Sequence, residues 1–185
     1  TLIAPNAKKI KNKKRKIVMY QERRSVFETN SSSTHSICIT KDTRADHSYP
    51  KKLVFRLGEF GWEHEELFTP EEKAAYLYTS ILSLQTKEEA ERSKNKIFAV
   101  LGEVGIDCEF EQAEYWGDGW LSNGYVDHAG DGDHYDFVNK TLNNRNRLLR
   151  YLFSEQSFVL TGNDNDDYGV GIDVDYPHEE YYKGN

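Results

Sequence analysis

Apolar residues recur at helical spacing in two adjacent stretches of this chain. Ala74, Leu77, Ile81 and Leu84 form one stripe, and Ala90, Ile97, Leu101 and Val104 form the next. Spacings of three and four residues bring side chains to one face of an α-helix, so each stretch predicts an amphipathic helix. Both carry start signals. Thr69-Pro-Glu-Glu offers a hydroxyl N-cap, proline at the first helical position and Glu72 placed to close a capping box. Thr86-Lys-Glu-Glu repeats the device with Glu89, and Gly105 supplies a helix stop. A third helix is predicted over Asp136–Phe153, with Phe137, Leu142, Leu149 and Leu152 on one side.

Elsewhere the pattern alternates. Lys52–Phe60 places Leu53, Phe55 and Leu57 on one face and Lys52, Val54 and Arg56 on the other, a half-buried strand. Ile106, Cys108 and Phe110 alternate with Asp107, Glu109 and Glu111 in the same way. Ser25–Thr40 reads as two short strands, with Val26 and Phe27 in the first and Ile37 and Ile39 in the second. Asn30-Ser-Ser-Ser provides the turn between them. Ser157–Thr161 and Val170–Tyr176 read as a hairpin around Gly162-Asn-Asp-Asn-Asp-Asp. Strands and helices do not alternate regularly, so the expected class is α+β: antiparallel strands and hairpins packed with about three helices in a single compact domain.

The charge is sorted along the chain. Lys8, Lys9, Lys11, Lys13, Lys14, Arg15 and Lys16 form a run of seven bases with no acid, in a protein whose net charge is −7. Residues 1–22 show no apolar period and read as a basic arm, and 23–185 as one acidic α+β domain. Each base that neutralises a phosphate releases a counterion, so such an arm is a candidate nucleic-acid contact. A solvated tail is the plainer alternative.

Cys38 and Cys108 are too few for a disulfide framework, and each falls in a predicted strand as a small core residue. No apolar run reaches the roughly 18 residues of a membrane span, and no apolar segment follows the basic run as in a signal peptide. A cytoplasmic location in a bacterial host cell is expected, with the virion as the alternative. No membrane contact is expected, and the sequence leaves the oligomeric state open.

Three segments invite a chemical reading. Asp127-His-Ala-Gly-Asp-Gly-Asp-His-Tyr-Asp gathers the donor types of a hydrolytic metal site, with His128, Asp131, Asp133 and His134 as candidate ligands. A solvated Gly-Asp loop is the simpler account. Asp164 and Asp175 stand eleven residues apart as in a calcium loop, but Tyr168 and Ile172 occupy ligand positions and a strand pattern follows, which argues against an EF-hand. Asn30-Ser-Ser-Ser-Thr-His-Ser collects hydroxyls beside His35, yet no Gly-x-Ser-x-Gly accompanies it. HExxH, Walker A and paired CxxC motifs are absent from the sequence, and no cofactor is called for.

Arg24-Ser-Val-Phe-Glu-Thr-Asn-Ser-Ser-Ser-Thr-His-Ser-Ile resembles the opening of small uncharacterised proteins encoded by phages and prophages of Firmicutes and gut bacteria. Ser157-Phe-Val-Leu-Thr-Gly-Asn-Asp-Asn resembles a later segment of the same group. The resemblance implies a phage or mobile-element origin and carries no activity.

The expected function is therefore that of a non-enzymatic accessory protein. It would bind a host or phage protein with a basic surface, such as a nucleic-acid-binding host enzyme that it inhibits. The candidate contacts are Glu109, Glu111, Asp164, Asp166, Asp167, Asp173 and Asp175, whose row no local base is expected to offset. Trp62-Glu-His-Glu-Glu and Tyr115-Trp-Gly-Asp-Gly-Trp also mix aromatics with acids as protein-binding surfaces do. A metal-dependent hydrolase or nuclease centred on residues 127–136 and a virion structural component are the alternatives.

Overall fold

Both predicted capping boxes form, and the helices they start organise the molecule. The computed structural model describes residues 33–41, 49–117, 121–129, 132–163 and 179–184. Helix α1 (Pro70–Leu84) starts where the Thr69 side chain accepts from Glu72 N and Glu72 reaches back to the Thr69 N–H. Helix α2 (Lys87–Glu103) starts in the same way from Thr86 and Glu89, and Gly105 follows it at φ +77°. Ile97 and Leu101 of α2 are fully buried, as their stripe predicts.

Helix α1 is less amphipathic than its stripe suggests. From Lys73 to Ile81 every residue except Ala75 is buried. Burial on several sides leaves hydroxyls inside, and these bond back to the helix. Thr79 donates to Ala75 O and Ser80 to Tyr76 O, each at 2.8 Å.

Four strands form an antiparallel sheet: β4 (Glu65–Leu67), β7 (Phe158–Asn163), β1 (Ser33–Thr40) and β8 (Glu179–Gly184), in that spatial order. The register sets His35 opposite Thr161 and Ile37 opposite Val159. Strands β1 and β7 thus lie side by side.

The alternating stretch Lys52–Phe60 is not one strand. It breaks into β2 (Lys52–Phe55) and β3 (Glu59–Phe60), and each pairs in parallel, β2 with β5 (Asp107–Phe110) and β3 with β6 (Tyr125–Val126). Parallel pairing needs a crossover, which α1 and α2 supply.

The third predicted helix is two. Helix α3 (Gly132–Leu142) ends before Asn143-Asn144, and Asn144 accepts from Arg147 N at 3.0 Å to start α4 (Arg145–Phe153). The class remains α+β. Among the described residues no helix is long and apolar enough to cross a membrane. The arm, the first strand with Val26 and Phe27, and the predicted strand Val170–Tyr176 lie outside the described residues.

Candidate functional site

Strand β1 carries polar side chains into the interior. Ser33 and every residue from His35 to Thr40 are buried, so Ser33, His35 and Ser36 require partners inside the fold. The Ser33 hydroxyl donates to Asp127 O at 3.1 Å, and His35 Nε2 lies 2.7 Å from the same carbonyl. A carbonyl only accepts, so Nε2 carries the proton. In the neutral ring Nδ1 then accepts from the Tyr76 hydroxyl at 3.0 Å.

Helix α3 brings a second imidazole to this cluster. The His134 ring stands edge-on to His35 with centroids 5.5 Å apart, and Tyr76 and Phe137 both pack against His134. The Ser80 hydroxyl is already given to Tyr76 O, so His134 Nε2–H donates to Ser80 Oγ at 3.0 Å. Burial, with His35 adding to it, pushes the His134 pKa down to about 3. At neutral pH the ring is uncharged, with its lone pair on Nδ1.

The three described metal candidates, His128, Asp133 and His134, do not converge. His134 is buried against Ser80, whereas Asp133 is exposed on the same helix. His128 is exposed at φ 53°, with its Nε2 3.9 Å from the Asp127 carboxylate. Asp131 lies outside the described residues. Among the described residues no three His, Cys, Asp or Glu groups come together to hold a metal.

Charge is sorted by depth. Lys73 and Arg147 are buried, while no Asp or Glu whose exposure is described is. Lys73 Nζ donates to Ser154 O at 2.8 Å and Ser157 O at 2.9 Å, tying the end of α4 to the start of β7. Burial pushes its pKa down to about 8. Arg147 Nε donates to Thr141 Oγ1 at 3.3 Å. Burying these two cations takes two positive charges off the surface.

Four carboxylates, Glu59, Glu63, Glu65 and Asp127, lie near enough to Tyr125 to act on it and make up an acidic rim. Strand pairing sets Glu59 beside Tyr125. Burial raises the Tyr125 phenol pKa, and the negative charges of Glu59, Asp127, Glu63 and Glu65 raise it further. Glu65, on the edge strand β4, also has its pKa raised by burial, and Glu63 and Glu72 add to this against a hydrogen bond from Thr161. Trp62, which precedes Glu63 in the chain, has 56 % of its surface exposed.

The predicted acidic row is different. Lys52, on the neighbouring strand, pairs with Glu109 at 2.7 Å, which corrects the expectation that no local base offsets it. The Glu111 carboxylate accepts from Leu57 N at 2.9 Å. Glu111 also borders a cleft of about 440 Å³ between α2 and residues 110–115, where Lys87 and Lys94 balance Glu91 and Glu111. Asp164, Asp166, Asp167, Asp173 and Asp175 lie outside the described residues, as do Lys8, Lys9, Lys11, Lys13, Lys14, Arg15 and Lys16.

Tyr76, Ser80 and Lys73 were not singled out from the sequence. Their signal is the run Lys73–Ile81, which holds a single charge and lacks the polar stripe a surface helix keeps. No protein-family model matches the chain, and no curated protein or solved structure matches it significantly.

Proposed function

We propose that this chain is an accessory protein that acts by binding a basic protein surface through its acidic rim. In keeping with the resemblance to phage and prophage proteins, the partner is a host or phage macromolecule. A nucleic-acid-binding host enzyme, whose basic channel the rim would occupy, is the leading class. The observation that carries the reading is the sorting of charge by depth. Among the residues whose exposure is described, two cations are buried and no carboxylate is, four carboxylates act on Tyr125, and Trp62, next to Glu63 in the chain, is exposed.

An exposed aromatic beside carboxylates in the chain suits a protein interface. The tryptophan supplies buried area and the carboxylates steer a basic partner into register. Glu59, Trp62, Glu63, Glu65 and Asp127 are the residues we assign to this role. Glu109 and Glu111 become secondary, because Lys52 and the Leu57 N–H already engage them.

The test is affinity capture from host-cell extract with the native chain and with a Trp62→Ala, Glu63→Lys variant. A basic protein retained by the native chain, lost from the variant and released by moderate salt supports the reading. Identical captured sets, insensitive to salt, contradict it.

A further inference from the structure

We infer that the cleft between α2 and residues 110–115 binds a small planar aromatic carboxylate, with the ring in the cleft and the carboxylate on Lys87. The cleft shares no residue with the acidic rim, so its ligand is independent of the rim's partner.

The cleft has the size and lining of a small-molecule site. Its volume of about 440 Å³ falls within the roughly 300–1,000 Å³ usual for such sites. Ala90 on α2 and Ala113 on the opposite wall are small, which leaves room for a flat ring between the walls. Tyr78, Phe110 and Tyr115 supply aromatic surface, and a ring set against rings gains more than its buried area alone provides. These walls are fixed without a ligand. The Tyr78 hydroxyl donates to Glu111 O at 2.8 Å, and the Phe110 ring stacks on Phe55 with centroids 4.8 Å apart. Asn123 donates to Gln112 O at 3.0 Å and accepts from Glu114 N at 2.9 Å, which pins the wall that holds Ala113. A wall already in place costs little ordering on binding.

The charges of the cleft select the sign of the ligand. Lys94 Nζ lies over the Phe110 ring and donates to Glu91 Oε1 at 2.7 Å, so these two ions neutralise each other. The Glu111 carboxylate is engaged by Leu57 N at 2.9 Å. Lys87 is different. Its Nζ stands 4.6 Å from the centre of the Tyr115 ring, and among the described residues no carboxylate pairs with it. A ring face meets an ammonium on one side only, and the group has three N–H donors. The donors left over suit a carboxylate, which they would hold by charge-assisted bonds. The Tyr115 ring thus fixes where the anion sits, and an ammonium ligand placed there would be repelled.

Amide NMR of the full chain, titrated with naphthalene carboxylate, tests this. Saturable shifts centred on Lys87, Ala90 and Ala113 are expected, with a Kd of about a millimolar or tighter for a ligand of this size. Lys87→Gln, an exposed change whose own spectrum reports the fold, should weaken binding severalfold. Two further probes separate ring from charge on the native chain. Cyclohexane carboxylate keeps the charge without the aromatic ring, and naphthylmethylamine keeps the rings with the opposite charge. Each should bind severalfold more weakly than naphthalene carboxylate. Equal affinity in any of these three comparisons overturns the assignment, as does a titration without saturable shifts or with shifts centred away from the cleft. None of these results bears on the rim.

Discussion

Ser33 and Asp127 stand 94 residues apart in sequence and are joined by a 3.1 Å hydrogen bond from the Ser33 hydroxyl to the Asp127 carbonyl. His35 donates to the same carbonyl at 2.7 Å, so one backbone oxygen fastens β1 to the segment after β6. Gly61 closes over this junction at φ +109°, with its Cα facing Ser33, His35 and Asp127.

Gly61→Ala should destabilise the fold. Its backbone conformation is one that side chains rarely adopt, and a Cβ would sit 3.0–3.2 Å from three neighbours. A cost of about 1–3 kcal/mol is expected. Urea unfolding of the variant beside the native protein measures it, and an unchanged midpoint would refute the close approach.

The His35–Tyr76 bond gives a second stability test. Tyr76→Phe keeps the ring that packs against Phe60 and Phe137 but removes the hydroxyl that donates to His35 Nδ1. Losing one partner of a buried hydrogen bond costs about 1–3 kcal/mol. For a chain of this length that is a fall in Tm of roughly 2–10 °C. Calorimetry at pH 7.5 gives the value, and a shift within error would mean that the hydroxyl contributes nothing there.

The pH dependence carries a definite sign. His134 has a folded pKa of about 3 against an ordinary value of 6.5, so the fold holds the neutral ring. As pH drops below 6.5 the unfolded chain takes up a proton that the folded chain refuses. Stability from this group is full above pH 6.5 and declines by about 1.4 kcal/mol per pH unit below it, toward pH 3. Between pH 6.5 and 5, a His134→Asn variant should show a shallower decline than the native chain, since other titrating groups are common to both. Parallel curves would contradict the assignment.

Lys73 acts at the other end of the scale. Its folded pKa of about 8 lies below the ordinary 10.5, so the unfolded chain holds the proton longer as pH rises. Stability from this group should increase between pH 8 and about 9.5. A neutral amine still has two N–H donors for Ser154 O and Ser157 O. Lys73→Met abolishes the rise and leaves both carbonyls without this donor, at a cost of about 2–5 kcal/mol in denaturant unfolding at pH 7.5.

The parts of the fold legible in the sequence are those set by local chemistry. Thr69 with Glu72 and Thr86 with Glu89 fix both helix starts within four residues, and the apolar stripe of α2 faces the core as spaced. Asn143-Asn144 was an equally local signal, yet the apolar period running through it suggested a single helix. Pairing was not legible. The alternation at Lys52–Phe60 gives which faces are buried but not the parallel partners β5 and β6, which depend on what two intervening helices allow. The His35–His134 contact joins residues from β1 and α3 through Tyr76, and no spacing rule reaches that far. The rim was half visible: Trp62 with Glu63 and Glu65 stood out as an aromatic-acidic segment, whereas Glu59 and Asp127 join it only through β3–β6 pairing.

The central claim is that the acidic rim, with Trp62 beside Glu63, binds a basic protein, and the salt dependence of association tests it most directly. With a partner recovered by capture, association and dissociation rates are measured from low to physiological salt for the native chain, Glu63→Lys and Trp62→Ala. The rim account predicts slower association and a flatter salt dependence for Glu63→Lys. It predicts for Trp62→Ala a faster dissociation worth about 2 kcal/mol, near thirtyfold in affinity. Rates that are the same for all three proteins and indifferent to salt would contradict it.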